Sequence, residues 1–466
     1  MRGYRATIGL EIHAELRTRT KMFCGTPNDP SAPPNTNVCP VCAGHPGTLP
    51  VVNHEAVHHV LRVGAAVGGT LADFTEFDRK NYFYPDLPKG YQISQFDFPL
   101  VRGGELAGVK LTRIHLEEDT ATSRHEGAHS LIDFNRAGVP LMELVTEPVV
   151  HDAETASRFA RELQLLLRTL GAGTANMDKG EMRVEANISV SRDESLGTKV
   201  EVKNLNSFRS VERAIEYEIN RQVDELTQGR VIVQETRGFD EDRGHTFSQR
   251  AKESSHDYRY FPEPDIPKLH ISSIPEFAYN EILRTLPELP DARRARYEAI
   301  GLKGSDIEVL VADAAAQEFF DTELTAHKAT AEESKVGVNY LLSDIRGSEK
   351  PDSAQEALRG RYLPFVRLVT TGELSSRGAK ELIKLMQTDD REPSQIAKDA
   401  GLVQQSGDEY ISRIAEKVIE MNANVVEEIR GGKRDALKFL VGVGMKESKG
   451  AANPALLLAA IEKRIS

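Results

Sequence analysis

The sequence predicts an α+β fold: an antiparallel or mixed β-sheet cradle with flanking helices, followed by an all-α linker domain and a small all-α tail. Three observations carry this. Up to about residue 270 the chain consists of short segments, several alternating apolar and polar residues, separated by Gly, Pro and Asn. Two stretches of helical spacing interrupt them. From Pro275 onward nearly everything has the spacing of amphipathic helix. With 466 residues and 39% hydrophobic content the chain can bury several cores, and a soft prior of about 150 residues per domain predicts roughly three.

The expected strands, in order, are residues 6–12, 109–116, 129–135, 182–190, 198–205 and 230–236. In 6–12, for example, Ala6, Ile8, Leu10 and Ile12 share one face, the mark of a half-buried strand. The two helices among them are Ala153–Leu170 and Ser210–Thr227, where apolar residues recur at helical spacing. Residues 78–95, DRKNYFYPDLPKGYQISQ, fit neither pattern. They mix Tyr82, Phe83, Tyr84 and Tyr91 with charges, while Pro85, Pro88 and Gly90 break any regular element. In a chain only 6% aromatic, this is expected to be a rigid loop that presents rings and charges to a ligand.

After residue 275 helices are expected over 276–286, 291–298, 307–323, 334–342, 363–370, 376–387, 393–399, 409–422 and the terminal run. The first boundary falls between residues 265 and 290, and the second near Leu402–Gly407, where QQSGD separates two helical groups. The expected domains are therefore a catalytic cradle at 1–290, a helical domain at 291–402 and a tail domain at 403–466.

A net charge of −12 argues against broad nonspecific binding to nucleic acid. The average conceals a reversal at the end. From Arg430 to Ser466 there are eight Lys or Arg against three Asp or Glu, a basic surface on which a polyanion could dock. The N-terminus reaches Glu11 before an apolar signal region develops, and the longest apolar run, Ala455–Ile461, is far below the ~20 residues that span a bilayer. Three cysteines cannot form a disulfide framework. A soluble cytoplasmic protein is the expectation.

Several motifs can carry chemistry. On a strand, Glu11 and His13 share a face, so a carboxylate and an imidazole converge on one cation or one proton. His115-Leu116-Glu117-Glu118-Asp119 adds an acidic strand end, and Glu185 and Glu201 each place an acid inside an apolar alternating strand. Such oxygen-rich clusters with a histidine suit Mg²⁺ or Mn²⁺ better than zinc. Cys24, Cys39 and Cys42, with His45 following, could complete a tetrahedral zinc site; metal-free thiols are the alternative, because Thr26 stands where a fourth thiol would have made the pattern strong. His125-Glu126-Gly127-Ala128-His129 matches a metalloprotease pattern, but Gly127 and the strand-like residues that follow predict a hairpin turn, not the helix that chemistry needs. There is no phosphate-binding loop of the G-x-x-x-x-G-K-[ST] or strand-led G-x-G-x-x-G type, and no G-x-S-x-G elbow.

In order along the chain, IGLEIHAEL, KMFC, NTNVCPVC, GHPGTLPVVN, FDRKNYFYPDLPKGYQISQ, TRIHLEED, VEVKNLNSF, DYRYFPEPD and FLVGVGMKESKGAANP resemble the GatB family of tRNA-dependent amidotransferase subunits. The resemblance runs from residue 4 to the C-terminus, and the length suits GatB rather than its longer relative GatE. It implies a heterotrimer in which the GatA amidase supplies ammonia from glutamine and GatC wraps the pair. It also implies that this chain uses ATP and Mg²⁺ to phosphorylate the side-chain carboxylate of Glu on tRNA-Gln or Asp on tRNA-Asn, after which ammonia displaces the phosphate.

Carried over by position, the resemblance makes Glu11, His13, Glu118 and Glu201 the cation-holding cluster, with Glu143 and Glu185 as weaker members. Lys80 joins Glu11, His13 and Glu118 as catalytic; Lys80 and Lys89 line the ammonia path or neutralise phosphate, and Tyr82 and Tyr84 shape the pocket. The resemblance also implies that many relatives have Cys-x-Cys where this chain has Cys24 and Thr26 and some lack the cysteines altogether, so zinc is not needed for the reaction and in this chain is absent or completed by His45. The helical middle and basic tail resemble the linker and YqeY-like domains that contact tRNA, with Lys433, Arg434, Lys438, Lys446 and Lys449 facing phosphate. The competing reading is a noncatalytic RNA-binding scaffold; the intact acid and imidazole cluster favours catalysis. A stand-alone metal hydrolase is a remote third.

Overall fold

The computed structural model describes residues 3–251, 258–404, 407–431, 433, 435–448 and 450–465. These divide into two compact units, 1–290 and 291–466.

The first unit begins with β1 (Arg5–Glu15), then α1 (His54–Ala66), β2 (Thr70–Leu71), β3 (Asp78–Asn81), β4 (Tyr91–Ser94), β5 (Val101–Arg102), β6 (Glu105–Leu106) and β7 (Val109–Glu118). It continues with β8 (Thr122–Glu126), β9 (His129–Asp133), β10 (Pro140–Thr146), α2 (Ala153–Thr169), β11 (Met182–Ser191), β12 (Val200–Leu205), α3 (Phe208–Thr227), β13 (Glu235–Asp240), β14 (His245–Ala251), β15 (Phe261–Pro262) and α4 (Tyr279–Arg284). The large sheet runs β14-β13-β12-β11-β1-β10-β7-β5-β2 and is mixed, because β12 and β13 are parallel while its other paired strands are antiparallel. A small sheet, β15-β3-β4, forms apart from it.

The period-2 pattern of β1 decides which face is which. Ala6, Ile8, Leu10, Ile12 and Ala14 are buried in the core, while Glu11 and His13 point to the other side. β11 repeats this, with Met182, Val184, Ala186 and Ile188 inward and Arg183 and Glu185 opposite. Helices α2 and α3 cover the apolar face. Each starts on a capping side chain: Asp152 accepts from Thr155 N, and Ser207 accepts from Ser210 N. The charged face of the sheet is thereby left for chemistry.

Four local differences from the sequence reading have physical causes. Helix α1, which the spacing of its apolar residues permits but which was not expected, buries Val57, Val60, Leu61 and Val63, with Asn53 capping Glu55 N and Ala56 N. The segment 78–95 is not all loop: its ends form β3 and β4, and only the Tyr82–Gly90 stretch between them is irregular. The strand expected at 230–236 starts at Glu235, because residues before it leave α3 through Gly229 (φ +75°) and reach the ladder only at Glu235, opposite Ala251, and Thr236, opposite Glu201. Val231 is accordingly 83% exposed. The helix expected over 307–323 breaks at Asp313, whose carboxylate caps Ala315 N and Ala316 N and starts a new helix.

The His125–His129 motif forms the tip of the exposed β8–β9 hairpin, with Gly127 in the left-handed region, so the two histidines do not share a helical face.

The second unit is helical: α5 (Pro290–Ala299), α6 (Gly304–Ala312), α7 (Ala314–Phe320), α8 (Ala331–Tyr340), α9 (Pro351–Leu358), α10 (Tyr362–Thr370), α11 (Ser376–Met386), α12 (Pro393–Asp399), α13 (Asp408–Met421), α14 (Ala423–Arg430), α15 (Ala436–Glu447) and α16 (Pro454–Ile465). Ile411, Ala415, Val418, Leu440, Leu457 and Ile461 belong to a separate apolar cluster within it, built from the last four helices. No helix among the described residues is long and apolar enough to cross a membrane.

Candidate functional site

Strand register assembles a charged cavity on the face of the sheet opposite α2 and α3. His13 of β1 stands opposite Glu143 of β10 and Arg183 of β11, Glu143 stands opposite His115 of β7, and Glu11 stands opposite Glu185. His13 Nε2 lies 3.4 Å from Glu117 Oε1 and 3.5 Å from Glu143 Oε2. His115 Nε2 approaches the same Glu143 oxygen at 3.3 Å. From the small sheet, Lys80 Nζ reaches to 3.9 Å of Glu117 Oε2. The cavity, about 470 Å³, is lined by Glu11, His13, Lys80 and Glu117 together with Tyr82, Tyr84, Lys203 and Tyr258.

Two flanking charge groups complete the lining. Lys203 Nζ bonds Glu185 Oε2 at 2.9 Å and lies 3.6 Å from Glu201 Oε2, which also accepts from Thr236 Oγ1 at 2.8 Å. Asp119 is held between Arg136 (2.6 Å) and Arg183 (3.1 Å). Tyr82 Oη donates to Gln92 Oε1 at 2.8 Å, which orients that ring.

Burial makes these interactions strong. It disfavours a charged imidazole at His13, yet hydrogen bonds to Glu117 and Glu143 outweigh it and hold His13 well above its ordinary value. Burial likewise opposes charge on Lys80, Glu117 and Glu143. Glu117 and neighbouring anions raise Lys80 all the same, Lys80 and His13 hold Glu117 low, and His115 and His13 hold Glu143 far below the usual carboxylate range. Glu11 goes the other way. Burial and then the nearby Glu143 and Glu185 carboxylates push it up to about 7.

This arrangement fits a divalent cation. Ligand atoms of Glu11, His13 and Glu143 lie within 4.8 Å of one another, as do those of His115, Glu117 and Glu143. Glu117 Oε2 and His115 Nδ1 are buried without a hydrogen-bond partner among the described residues. Carboxylates with imidazole suit Mg²⁺ or Mn²⁺, and the same carboxylates that raise His13 would draw a cation.

The structure brings Glu11, His13, Glu185, Lys80, Tyr82 and Tyr84 to this cavity, with buried Glu143 in contact with His13. Glu118 is on the other face of β7, where its Oε1 accepts from Ile93 N at 2.9 Å and pairs with Lys89 at 2.6 Å. That pair lines a separate cavity of about 190 Å³, next to Cys24, Cys42 and His45. Glu201 stands behind Lys203 and is in neither cation group. The thiols of Cys24, Cys39 and Cys42 converge within 4.8 Å, but His45 is not part of that group. Three ligands do not make the closed four-coordinate site that structural zinc requires. In the second unit, Lys438 and Lys446 are carried on α15, and exposed Lys433 lies 3.3 Å from Glu428. Arg434 and Lys449 lie outside the described residues.

Sequence reasoning marked the His115–Asp119 strand end but carried only Glu118 of it into the cation cluster, and it did not single out Lys203 or Arg183. Glu117 was recoverable, since alternation already separates it from Glu118 and only one of the two can face His13. His115 and Lys203 needed the register.

A model of the GatB/GatE catalytic domain matches residues 6–274, and one of the GatB domain matches residues 320–465. The chain is 41% identical over 495 residues to the B subunit of the aspartyl/glutamyl-tRNA(Asn/Gln) amidotransferase of Crocosphaera subtropica, covering 99% of this chain and 98% of that protein. It is 44% identical over 467 residues to the like-named protein of Thermus thermophilus, covering 97% of each. The like-named protein of Anaeromyxobacter sp. strain Fw109-5 is 40% identical over 479 residues, covering 99% of each.

Proposed function

The chain belongs to the GatB/GatE family, and on that premise we propose that its cavity activates the side-chain carboxylate of a misacylated tRNA for amidation. It acts in the tRNA-dependent amidotransferase, a glutamine-dependent ligase that forms carbon–nitrogen bonds. Its partners in this reading are the GatA amidase and GatC in a cytoplasmic heterotrimer, and its substrates are ATP and Glu-tRNA(Gln), Asp-tRNA(Asn) or both.

One observation carries the reading: Lys80, His13, Glu11 and Glu117 meet at one cavity large enough for a carboxylate and a phosphoryl group, with buried Glu143 against His13. A carboxylate is a poor acceptor for ammonia until one oxygen is phosphorylated. The aminoacyl carboxylate takes the γ-phosphoryl group of ATP, ammonia adds to the carbonyl carbon, and phosphate leaves as a proton is released. Catalysis of such a transfer is mainly positioning and charge neutralisation. Lys80 neutralises phosphoryl oxygens, Arg183 and Lys203 keep their flanking acids from repelling the anion, and Tyr82 and Tyr84 orient the substrate at the cavity wall. Mg²⁺ held by Glu11, His13 and Glu143, with Glu117 in reach, would neutralise further phosphate charge.

Lys89, paired with Glu118 outside this cavity, stands on the ammonia path in this reading. Residues 403–466 bind tRNA through Lys433, Lys438 and Lys446. No step uses zinc.

The test is reconstitution with GatA and GatC, glutamine, ATP and each of Asp-tRNA(Asn) and Glu-tRNA(Gln). An amidated aminoacyl-tRNA that depends on ATP and Mg²⁺ is expected for at least one substrate. Absence of both amidated product and aminoacyl-tRNA-dependent phosphate release from ATP, with each of the two substrates, would overturn the proposal.

A further inference from the structure

A row of aromatic rings leaves the cavity and continues beyond it. Tyr84, Tyr82 and Tyr258 line the cavity, with ring centroids 6.0 Å apart for Tyr84 and Tyr82 and 5.8 Å for Tyr82 and Tyr258. Tyr258 then meets Tyr260 at 6.0 Å, and Tyr260 stacks on Phe96 at 4.2 Å with only 11° between the planes. Phe96 is 44% exposed, so the far end of the row is open to solvent. The link between its inner and outer parts is Tyr258-Arg259-Tyr260.

That link is built at a cost. Arg259 is exposed and holds a left-handed backbone at φ +45°, which a residue with a side chain rarely adopts. Asn81 Nδ2 pins it, donating to the carbonyl oxygens of Arg259 at 2.9 Å and Tyr258 at 3.3 Å. The result is two rings of one segment set against rings of two others, with an exposed arginine between Tyr258 and Tyr260 in the chain. Core packing needs no exposed cation there.

We propose that Phe96, Tyr260 and Arg259 form a stacking track for the single-stranded 3′ end of the aminoacyl-tRNA. The inference rests on the function proposed above. The amino acid is esterified to the terminal adenosine, so a carboxylate at Lys80 leaves that nucleotide at the mouth of the cavity, beside Tyr84 and Tyr82. Every tRNA ends in the unpaired strand C-C-A, and the bases before the adenosine then lie along the row toward Phe96. Aromatic faces spaced along a path, with a cation to meet the phosphate between bases, are how single strands are held without sequence readout. ATP has the same adenine chemistry but only one base, whereas the row runs past the cavity to a second stacking position.

The test is binding of a fluorescent RNA hairpin ending in single-stranded C-C-A to the full-length chain, with a blunt-ended hairpin as control. Phe96→Ala and the bulkier Phe96→Leu should each weaken C-C-A hairpin binding about tenfold, the size of one lost base stack. Phe96→Tyr should keep it, and the blunt hairpin should not distinguish the variants. In the assembled enzyme, KM for ATP should stay unchanged in all three. Unaltered hairpin affinity in both Phe96→Ala and Phe96→Leu overturns the proposal, as does a rise in KM for ATP without loss of RNA binding. Because binding is read without turnover, an enzyme that holds the C-C-A end through Phe96 yet never amidates sinks the functional reading and leaves the track standing.

Discussion

Replacing Lys80 with Met should separate chemistry from folding. Lys80 Nζ is 3.9 Å from Glu117 Oε2, its side chain is 19% exposed, and the ammonium lies 5.3 Å from the centre of the Tyr258 ring. At that separation and an effective dielectric near 20, the attraction is about 4 kcal/mol before desolvation is subtracted. Methionine keeps most of the stem and removes the charge. Stripping one partner from a buried pair costs about 3–5 kcal/mol when the other stays charged, but Glu117 can take up a proton and limit the loss. The pH dependence has a definite sign. Glu117 is held below its ordinary value in the folded protein, so its stabilising contribution is present above the unfolded pKa and is lost as pH falls through the folded one. Wild type and variant should therefore differ most near neutral pH and converge in acid, as urea denaturation at several pH values would show. Losing the cation that faces the phosphoryl group should slow single-turnover amidation about 10²–10³-fold, the range for removing one preorganised charge-stabilising group. Lys80→Ala should behave alike, with a further stability loss from the missing stem. A transfer rate within about threefold of wild type in either variant would refute the role given to Lys80.

Ile12 is fully buried between Glu11 and His13, so Ile12→Ala should cost about 2–5 kcal/mol in chemical denaturation, while Ile12→Val should cost only about 0.5–1.5 kcal/mol. Equal losses for the two would contradict its place in a close-packed core. Reversing Lys433, Lys438 and Lys446 together to Glu should weaken tRNA binding and make its dependence on log salt shallower by about 2–3, whereas an unchanged slope would remove the tail from the RNA interface. Protein grown with zinc and then purified should carry less than about a tenth of an equivalent by elemental analysis, because the three converging thiols have no fourth ligand among the described residues. A full equivalent would show that the thiols recruit one.

The α+β fold class was legible because β1 and β11 keep strict alternation and the helices after residue 275 keep their apolar spacing. Helix α1 escaped because a His-rich stretch behind a Pro-rich one masks its buried valines. At the site, Glu11 and His13 could be paired from a two-residue spacing on one strand. The partnership of Glu143 with both His13 and His115 could not. It depends on β10 lying between β1 and β7 with that register, which is a long-range property. Glu118 shows the other limit: two adjacent acids look alike in a sequence, and a single step along a strand sends one into the cavity and the other to Lys89.

The placement of Glu11 also explains why the site needs the whole sheet. Glu11 and Glu185 stand directly opposite on neighbouring antiparallel strands, a like-charge pairing that weakens a sheet. Lys203 answers one of the two, bonding Glu185 at 2.9 Å, and no ion pair reaches Glu11 among the described residues. Burial and then the Glu143 and Glu185 carboxylates push Glu11 up to about 7, while hydrogen bonds to Glu117 and Glu143 hold His13 above its ordinary value against burial. A sheet selected for stability alone would replace Glu11 with a neutral residue and lose nothing. An acid that burial and its neighbours both disfavour makes sense where a cation arrives to be bound, since that cation relieves the Glu11–Glu185 repulsion.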